Sequence, residues 1–283
     1  MTGPILRTLS ELRAKTQAWR RAGQTIGVVP TMGALHQGHL SLAQAVRAEC
    51  DRVIVTIFVN PKQFNNPEDL AKYPRTEQDD AAKLAPLGVD AIYVPDPDQI
   101  YPDGFATTVS VAGLTDVMEG EFRPGHFDGV ATVVAKLFLQ TQADRAYFGE
   151  KDYQQLMIVR RMARDLDIPI EVIGCPTVRE PSGLAMSSRN LRLSDQGLAT
   201  GARMYAVMQD MAGQLARGAA FADLVGPARD TLLAAGFSEV EYIDLRCAET
   251  LAPLTAATRP ARLFATAWLE GVRLIDNIDV PVA

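Results

Sequence analysis

The feature that most constrains the fold of this chain is the nearly continuous apolar run RVIVTIFV at residues 52–59, rich in β-branched side chains. Such a run is typical of a central strand in a parallel sheet, because both faces of that strand are covered. Apolar runs predict further strands at 25–29, 91–94, 107–111, 145–148 and 170–173. Helices are predicted between them, at 6–22, 40–46, from 77 onward, at 128–140 and up to 166. This alternation predicts a doubly wound parallel sheet.

The pattern changes after Thr177, which indicates a second domain. Helices are predicted at 195–216, capped by Ser194, and at 221–235. They are followed by predicted strands at 240–245, 262–269 and 272–278, the last two joined by a Glu270-Gly271 hairpin turn. Helices followed by adjacent strands predict a smaller α+β domain. The predicted domains are therefore residues 1–177 and 178–283.

A turn rich in glycine and histidine, VVPTMGALHQGH at residues 28–39, follows the first predicted strand of the large sheet. Gly33 and Gly38 let this turn take conformations closed to other residues. His36 and His39 stand three apart at the start of a helix, where amide N–H groups and the helix dipole favour an anion. Two imidazoles there favour polyphosphate chemistry; the alternative is a glycine turn with incidental histidines. The chain has three histidines, and the turn uses two, which favours function.

The usual nucleotide-binding motifs are missing from the sequence. No predicted strand is followed by the GxGxxG dinucleotide fingerprint or by the GxxxxGK[ST] phosphate loop. If this sheet binds a nucleotide, the histidine turn takes the place of these phosphate-binding motifs.

Further polar clusters lie at strand ends or between the domains, at 60–63, 149–155 and 186–189. Taken singly, their members are ordinary: Lys151 as a surface lysine, Gln63 and Gln155 as surface amides, and the two serines of 186–189 as turn residues. Together with the histidines, they supply the cations, hydroxyls and amides that a triphosphate needs. Strand ends of one sheet lie at one edge, so these clusters are expected to converge on one cleft.

Asp79 and Asp80 are candidate magnesium ligands, because magnesium takes oxygen ligands and accompanies ATP. The alternative is that they compensate the positive end of the helix that begins near Glu77. Thr76 is the expected cap of that helix.

Composition excludes several classes of function. The net charge is −6, with no long basic run, which argues against nucleic acid as the main partner. Cys50, Cys175 and Cys247 are far apart, so disulfides and a cysteine-ligated zinc site are not expected, and a reducing cytosol is predicted. No charged-then-apolar signal and no apolar run of membrane-spanning length is present, so a cytoplasmic protein without membrane contact is expected.

The histidine turn resembles the HxGH signature of the nucleotidyltransferase superfamily, which includes class I aminoacyl-tRNA synthetases. The segment MSSR at 186–189 is similar to the mobile KMSKS-type loop of that superfamily, but it lacks a lysine before the methionine and ends in arginine. A closer resemblance is to the pantothenate synthetase family of pantoate–β-alanine ligases. It covers residues 5–278 and rests on six motifs in order: PTMGALHQGH at 30–39, FVNPKQF at 58–64, YPRT at 73–76, RPGHF at 123–127, GEKD at 149–152 and SSRN at 187–190.

The family resemblance implies a Rossmann-like nucleotidyltransferase domain, a C-terminal lid domain and a reaction in two steps. ATP and (R)-pantoate would give pantoyl adenylate and pyrophosphate, and the amine of β-alanine would then attack this intermediate to give pantothenate and AMP. The family is similar in using magnesium and in forming homodimers. Because pantoyl adenylate is easily hydrolysed, a lid that excludes water would protect it.

The resemblance also implies roles for individual residues. Gln63 would bind pantoate and help to place β-alanine, and Gln155 would bind pantoate. The implied ATP-binding residues are Met32, Gly33, Ala34, Leu35, His36, Gln37, Gly38, His39, Gly149, Glu150, Lys151, Asp152, Val178, Met186, Ser187, Ser188 and Arg189. The implied catalytic residues among them are His36, His39, Lys151, Ser187, Ser188 and Arg189, with His39 at the reacting phosphates and Lys151 on the phosphates.

Three other functions are alternatives to this one. A plain nucleotidyltransferase would release the adenylated small acid as its product. A tRNA-charging enzyme is disfavoured by the short acidic chain, since nothing after Thr177 is typical of an RNA-binding domain. A nucleotide-binding regulator without catalysis is disfavoured by the presence of both histidines, Lys151 and Arg189.

Overall fold

A computed structural model describes residues 3–282 of the chain. Contacts divide the chain into two compact units, one that ends at Pro176 and one that begins at Thr177. In the described part of the chain, no helix has the length and apolar character that crossing a membrane requires.

The first unit is built on a six-stranded sheet in which all strands run parallel. Its strands are β1 (Ile5–Leu6), β2 (Ile26–Thr31), β3 (Arg52–Ile57), β4 (Ala91–Tyr93), β5 (Arg145–Gly149) and β6 (Glu171–Cys175). Its helices are α1 (Leu9–Arg21), α2 (Gln37–Glu49), α3 (Pro67–Lys72), α4 (Glu77–Leu84), α5 (Pro97–Ile100), α6 (Glu119–Phe122), α7 (His126–Thr141) and α8 (Tyr153–Asp165), with 3₁₀ turns at Pro61–Gln63, Ala85–Leu87 and Glu150–Asp152. The predicted doubly wound parallel sheet is confirmed.

The strand order β1-β4-β3-β2-β5-β6 places β2 and β5 side by side where the direction of winding reverses. The chain proceeds from β2 to β3 and β4 on one side, then returns to lay β5 and β6 on the other. In open α/β sheets, ligands bind at such a switch point, beyond the carboxyl ends of the strands. The histidine turn follows β2, and the segment 149–152 follows β5, so both lie at this point.

The strands of the first unit are held by burial on both faces. Val53, Ile54 and Val55 of β3 are almost completely buried, as the unbroken apolar run predicted. The core on one side of the sheet includes Leu42 and Val46 of α2, which pack with residues of β2 and β3.

Two elements of the first unit differ from the sequence-based expectation. The predicted strand at 107–111 is wrong: this segment has no regular structure, and its Val109 amide donates to the Thr132 hydroxyl of α7 at 2.9 Å. The helix expected from residue 6 begins instead at Leu9. Thr8 caps it by accepting from the Glu11 amide at 3.2 Å, and residues 5–6 pair with β4 as the short strand β1.

The second unit is a small α+β fold, as predicted. It comprises a 3₁₀ turn (Ser188–Arg192), the helices α9 (Asp195–Leu215) and α10 (Phe221–Ala235), and the antiparallel strands β7 (Glu239–Cys247), β8 (Ala261–Leu269) and β9 (Val272–Val280). The Ser194 hydroxyl accepts from the Gly197 amide at 3.0 Å, which confirms the predicted cap of α9. The core of the second unit is formed by buried residues of the helices and the sheet, such as Met208, Leu232 and Leu263.

Candidate active site

The histidine turn ends in a reciprocal hydrogen-bonded cap at the start of α2. His36 occupies the N-cap position, and its Nδ1 accepts from the Gly38 amide at 3.2 Å. The Nδ1 of His39 accepts from the His36 amide at 3.4 Å. The ring centroids of the two histidines lie 4.2 Å apart. Because each Nδ1 is an acceptor, the proton of each neutral ring sits on Nε2, and each ring keeps an Nε2–H donor.

Both imidazoles are held in the neutral form. Burial lowers the pKa of His36 to about 4, and the positive charge of Lys151 contributes to this shift. Burial lowers the pKa of His39 to about 3, with a further contribution from His36. At neutral pH both rings are therefore uncharged, and the positive charges that act on them are those of Lys151 and Lys83.

Gly38 leaves space for the His36 ring at the cap. A Cβ atom on Gly38 would lie 2.9 Å from Cε1 and 3.0 Å from Nδ1 of the His36 ring. The ring therefore lies over the first turn of α2, and a larger residue at position 38 would displace it from this position.

The turn before His36 is shaped by the buried carboxylate of Asp80 on α4. Oδ1 of Asp80 accepts from the Leu35 amide at 2.7 Å, and Oδ2 accepts from the Ala34 amide at 2.9 Å. Gly33 sits in the left-handed region with φ 84°, and a Cβ there would lie 3.1 Å from Oδ2 of Asp80. Lys83, one turn further along α4, donates to the Leu35 carbonyl at 2.8 Å. Residues of α4 thus fix the path of the turn that leads to the histidines.

The same contacts show that the pair Asp79 and Asp80 does not fit a magnesium ion. Asp80 is completely buried, and both its oxygens are occupied by backbone amides. Asp79 is exposed. Among residues 3–282, no group of three or more His, Cys, Asp or Glu side chains is arranged to hold a metal ion. Thr76 precedes α4 as expected, but its hydroxyl donates to Asp80 at 3.1 Å and makes no cap hydrogen bond.

The segment after β5 brings Lys151 to the histidine turn. Residues 150–152 form a 3₁₀ turn, and the Lys151 side chain is largely buried, with Nζ 3.9 Å from Oδ1 of Asp152. The charges of Lys151 and Asp152 both act on the two imidazoles. The sequence predicts this convergence, since β2 and β5 end at one edge of the sheet.

Gln63 is oriented by a buried asparagine, Asn60, whose role no sequence motif indicates. Asn60 follows β3 and is completely buried; its Nδ2 donates to Oε1 of Gln63 at 3.0 Å and to the Gly129 carbonyl at 3.0 Å. Its Oδ1 accepts from the Tyr101 hydroxyl at 2.7 Å. With Oε1 of Gln63 held by Asn60, the Nε2 hydrogens of Gln63 are the donors that a substrate oxygen can use. Its backbone carbonyl is contacted by Nδ1 of His126 at 2.8 Å.

The two adjacent amides at the start of α8 have different surroundings. Gln154 is buried; its Nε2 donates to the carbonyls of Leu114 and Val117 at 2.9 and 2.7 Å, and its Oε1 accepts from the Glu119 amide at 3.2 Å. Gln154 therefore holds the loop before α6 in place. Gln155, the predicted pantoate residue, is half-buried. The family resemblance selected Gln155, and no local pattern in the sequence indicates the structural role of Gln154.

The predicted ATP residues of the second unit lie on one hairpin and the turn that follows it. The Met186 amide donates to the Val178 carbonyl at 3.0 Å, which closes the hairpin. The Ser187 hydroxyl accepts from the Arg189 amide at 3.2 Å and caps the 3₁₀ turn. Nδ2 of Asn190 donates to the Ala185 carbonyl at 3.0 Å, so both ends of the segment are tied.

Comparison with known proteins decides the family. The sequence profile of the Pantoate-beta-alanine ligase family matches residues 4–279. This chain belongs to the pantoate-beta-alanine ligase family. A relative, the pantothenate synthetase of Ruegeria pomeroyi, is 72% identical to this ligase over 280 residues, which cover 99% of the chain and 98% of the relative.

Two solved structures are similar to this ligase along almost its whole length. The pantothenate synthetase of Thermus thermophilus has 44% identity and a TM-score of 0.91, covering 98% of this chain and 99% of that chain. The pantoate-beta-alanine ligase of Francisella tularensis, solved in complex with Beta-gamma ATP and β-alanine, has 37% identity and a TM-score of 0.83, covering 98% and 97%. The family predicted from the motifs is confirmed, and so is the prediction that the chain is a ligase.

Proposed function

We propose that this ligase condenses (R)-pantoate with β-alanine to pantothenate, using ATP and passing through pantoyl adenylate. The observation that supports this most directly is the pair of neutral histidines at the start of α2, beside Lys151 and at the switch point of the sheet. Hydrogen-bond donors, a helix N-terminus and one cation together suit the phosphates of ATP.

In the first step, a carboxylate oxygen of pantoate attacks the α-phosphorus of ATP, and pyrophosphate leaves. Negative charge grows on the equatorial oxygens of that phosphorus during the attack. Donors that are already fixed act most strongly on such charge in the transition state. We assign this role to the Nε2–H groups of His36 and His39 and to the ammonium of Lys151.

The remaining ATP contacts are proposed for backbone and side chains on either unit. Hydroxyls of Ser187 and Ser188 and the guanidinium of Arg189 supply further donors to phosphate oxygens. The proposed backbone and pocket contacts are those of Met32, Gly33, Ala34, Leu35, Gln37, Gly38, Gly149, Glu150, Asp152, Val178 and Met186.

Gln63 and Gln155 are proposed to hold pantoate, whose hydroxyl and carboxylate oxygens suit amide donors. Asn60 supports the role of Gln63, because it holds Oε1 of that amide and leaves Nε2 to donate to a substrate oxygen. In the second step the amine of β-alanine attacks the acyl carbon, the bond from that carbon to the phosphate oxygen breaks, and AMP leaves. The attacking neutral amine gives up one proton to solvent as the C–N bond forms, and the amide keeps one N–H.

Magnesium and the homodimer are also proposals. Because Asp80 is committed to the histidine turn, we propose that magnesium enters on the phosphate oxygens of ATP rather than on Asp79 and Asp80. A homodimer would give twice the chain mass of 30.7 kDa in light scattering.

Product analysis tests the proposed function. The protein is incubated with ATP, pantoate and β-alanine, and each is omitted in turn. Pantothenate and AMP are expected only with all three, and a burst of pyrophosphate is expected from ATP and pantoate alone. Release of a free adenylated acid in the presence of β-alanine would favour the plain nucleotidyltransferase instead. Gln44→Ala, a change at an exposed position on α2, is the control variant and should give the same products as the parent protein.

A further inference from the structure

A buried ion pair fastens the hairpin of the second unit to its sheet. Arg179 lies next to Val178 in the hairpin, and Asp276 lies in the middle of β9. The two side chains form a bidentate pair, with Nη1–Oδ2 at 2.6 Å and Nη2–Oδ1 at 2.8 Å. Their side chains are only 16% and 5% exposed. Bidentate geometry fixes the orientation of both partners as well as the distance between them.

The guanidinium of Arg179 also ties the hairpin to itself and to a helix. Nη1 donates to the Gly183 carbonyl across the hairpin at 3.0 Å, and the guanidinium carbon stacks 3.8 Å from the ring centroid of Tyr205 on α9. Gly183 has φ 93°, and a Cβ there would lie 2.6 Å from the Tyr205 ring, so its backbone lies against the same ring. One side chain thus joins the hairpin, α9 and β9.

The segment after the hairpin is anchored at its other end. Glu270, in the turn between β8 and β9, accepts from the Ser194 amide at 2.8 Å and from its hydroxyl at 2.6 Å. The segment 186–189 is therefore held between two fixed points on the second unit. The first of these is the pair formed by Arg179 and Asp276.

Stability alone does not explain such a pair. Desolvating two charges offsets much of their attraction, and a buried pair is often no more stabilising than apolar residues of similar volume. Its orientation is what apolar residues cannot reproduce. The orientation here is that of a hairpin whose ends, Val178 and Met186, are hydrogen-bonded to each other and are both proposed ATP contacts.

We propose that Arg179 and Asp276 are positioning residues for ATP, which set the hairpin so that segment 186–189 meets the nucleotide. This inference rests on the proposed function of that segment. This role requires no contact between either residue and a substrate. Their effect on the reaction passes through Val178, Met186 and the residues that follow.

The test compares Asp276→Asn with a matched variant elsewhere in the same sheet. Glu241 of β7 pairs with Arg273 of β9, and these side chains are likewise 7% and 11% exposed. Glu241 also accepts from the indole of Trp268 on β8 at 2.5 Å, so this pair ties strands of the sheet to one another.

Initial rates of pyrophosphate release are measured against ATP and against pantoate. A shift of about 1 Å in a positioning element costs on the order of 10²-fold. We therefore expect Asp276→Asn to lower kcat/KM for ATP by that order, through a raised KM for ATP, and to leave the KM for pantoate unchanged. Glu241→Gln should retain the kinetics of the parent protein.

A second variant keeps the inference falsifiable if Asp276→Asn does not fold. Tyr205→Leu removes the ring on which Arg179 stacks without leaving a buried charge unpaired. Like Asp276→Asn, it should raise the KM for ATP, but by a smaller factor. It should also speed amide hydrogen exchange in residues 178–189. An unchanged KM for ATP in folded Asp276→Asn, or in Tyr205→Leu where the first does not fold, overturns the inference. An equal loss in Asp276→Asn and Glu241→Gln also overturns it, because it shows a general effect on the unit.

The parent protein separates this result from failure of the proposed function. If it releases no pyrophosphate from ATP and pantoate, the proposed function fails before any variant is compared. If the parent is active and the variants lose no ATP-dependent rate, only the positioning role fails.

Discussion

The carboxylate of Asp80 holds the backbone of Leu35, with 2.7 Å between Oδ1 and the amide nitrogen. The neighbouring amide of Ala34 is held by the other oxygen. An acidic residue in the first turn of α4 thereby shapes the turn that ends in the two histidines. The sequence suggests magnesium binding or helix charge compensation for this residue, and the hydrogen bonds assign it a third role.

Asp80→Asn should therefore damage the turn. Only one end of the asparagine amide accepts hydrogen bonds, so one of the two backbone amides loses its partner. Leaving a buried donor unpaired costs about 1–3 kcal/mol, and we expect that loss in the free energy of unfolding measured in urea. Binding of a non-hydrolysable ATP analogue, measured by calorimetry, should weaken as well, because the turn no longer presents His36 and His39 correctly.

Asp79→Asn is the matched control for this prediction. Asp79 is the adjacent carboxylate and is exposed, so its replacement should change neither stability nor binding. Magnesium titrations separate the two roles of Asp80. If raising the magnesium concentration restored activity to Asp80→Asn, the residue would be a metal ligand and our assignment would be wrong.

His39→Ala should remove one donor from the developing charge at the α-phosphorus. Losing a donor of this kind typically costs on the order of 10²–10³ in rate. We expect a drop of that size in pyrophosphate release from ATP and pantoate, with normal circular dichroism. Gln44→Ala, exposed on the same helix, should match the parent. Near-normal pyrophosphate release by a folded His39→Ala protein would contradict the role assigned to His39.

The lowered histidine pKa values give a pH prediction with a definite sign. The pKa is about 4 for His36 and about 3 for His39 in the folded chain, against an ordinary value of 6.5. Between pH 6.5 and 4 the unfolded chain therefore binds more protons than the folded chain. The stability contributed by these neutral rings is complete above pH 6.5 and is lost as the pH falls to about 4 for His36 and to about 3 for His39.

Nuclear magnetic resonance of the histidine rings checks this prediction directly. In the folded protein, the signals of His36 and His39 should show no titration between about pH 8 and about pH 5, and both rings should carry the proton on Nε2. Assignment uses the two single alanine variants. A midpoint near the ordinary value of 6.5 for either ring would contradict the buried, neutral pair.

Much of the fold followed from the sequence because its signals are local. Apolar runs and turn residues placed β2, β3, β4, β5 and β6, and the histidine turn was located from glycines and its position after a strand. Local signals failed where they were weak. The strand β1 has two residues, too few for any periodicity, and residues 107–111 have an apolar pattern without a strand to pair with.

The sequence predicted the residues of the candidate site whose chemical type indicates a role, but not the contacts that position them. The convergence of the histidine turn with Lys151 followed from the parallel sheet, in which strand ends share an edge. The contacts that position these groups join distant parts of the chain, such as Asp80 with Leu35 and Tyr101 with Asn60. A carboxylate in the first turn of a helix and a tyrosine in a loop carry no local sign of such partners, so their roles required the structure.

The neighbouring glutamines of α8 should respond in opposite ways to replacement by alanine. Gln155→Ala should raise the KM for pantoate and leave stability unchanged, because Gln155 is half-buried and its proposed partner is the substrate. Gln154→Ala should lower stability by about 1–3 kcal/mol, since it leaves buried backbone groups of the loop before α6 unpaired. Lys151→Ala should instead disturb the parameters for ATP. Titrations in which Gln155→Ala affected ATP and Lys151→Ala affected pantoate would contradict this division.

The route through an acyl adenylate makes a prediction about the fate of one oxygen atom. A carboxylate oxygen of pantoate attacks the α-phosphorus and stays bound to it when the amine of β-alanine displaces AMP from the acyl carbon. Pantoate labelled with heavy oxygen in its carboxylate should therefore give AMP that carries one labelled oxygen, together with unlabelled pyrophosphate. An acyl phosphate route would place the attack at the γ-phosphorus and release ADP. Mass spectrometry of the nucleotide decides between them: ADP, or AMP without label, would show that the donors around His36 and His39 serve a different reaction.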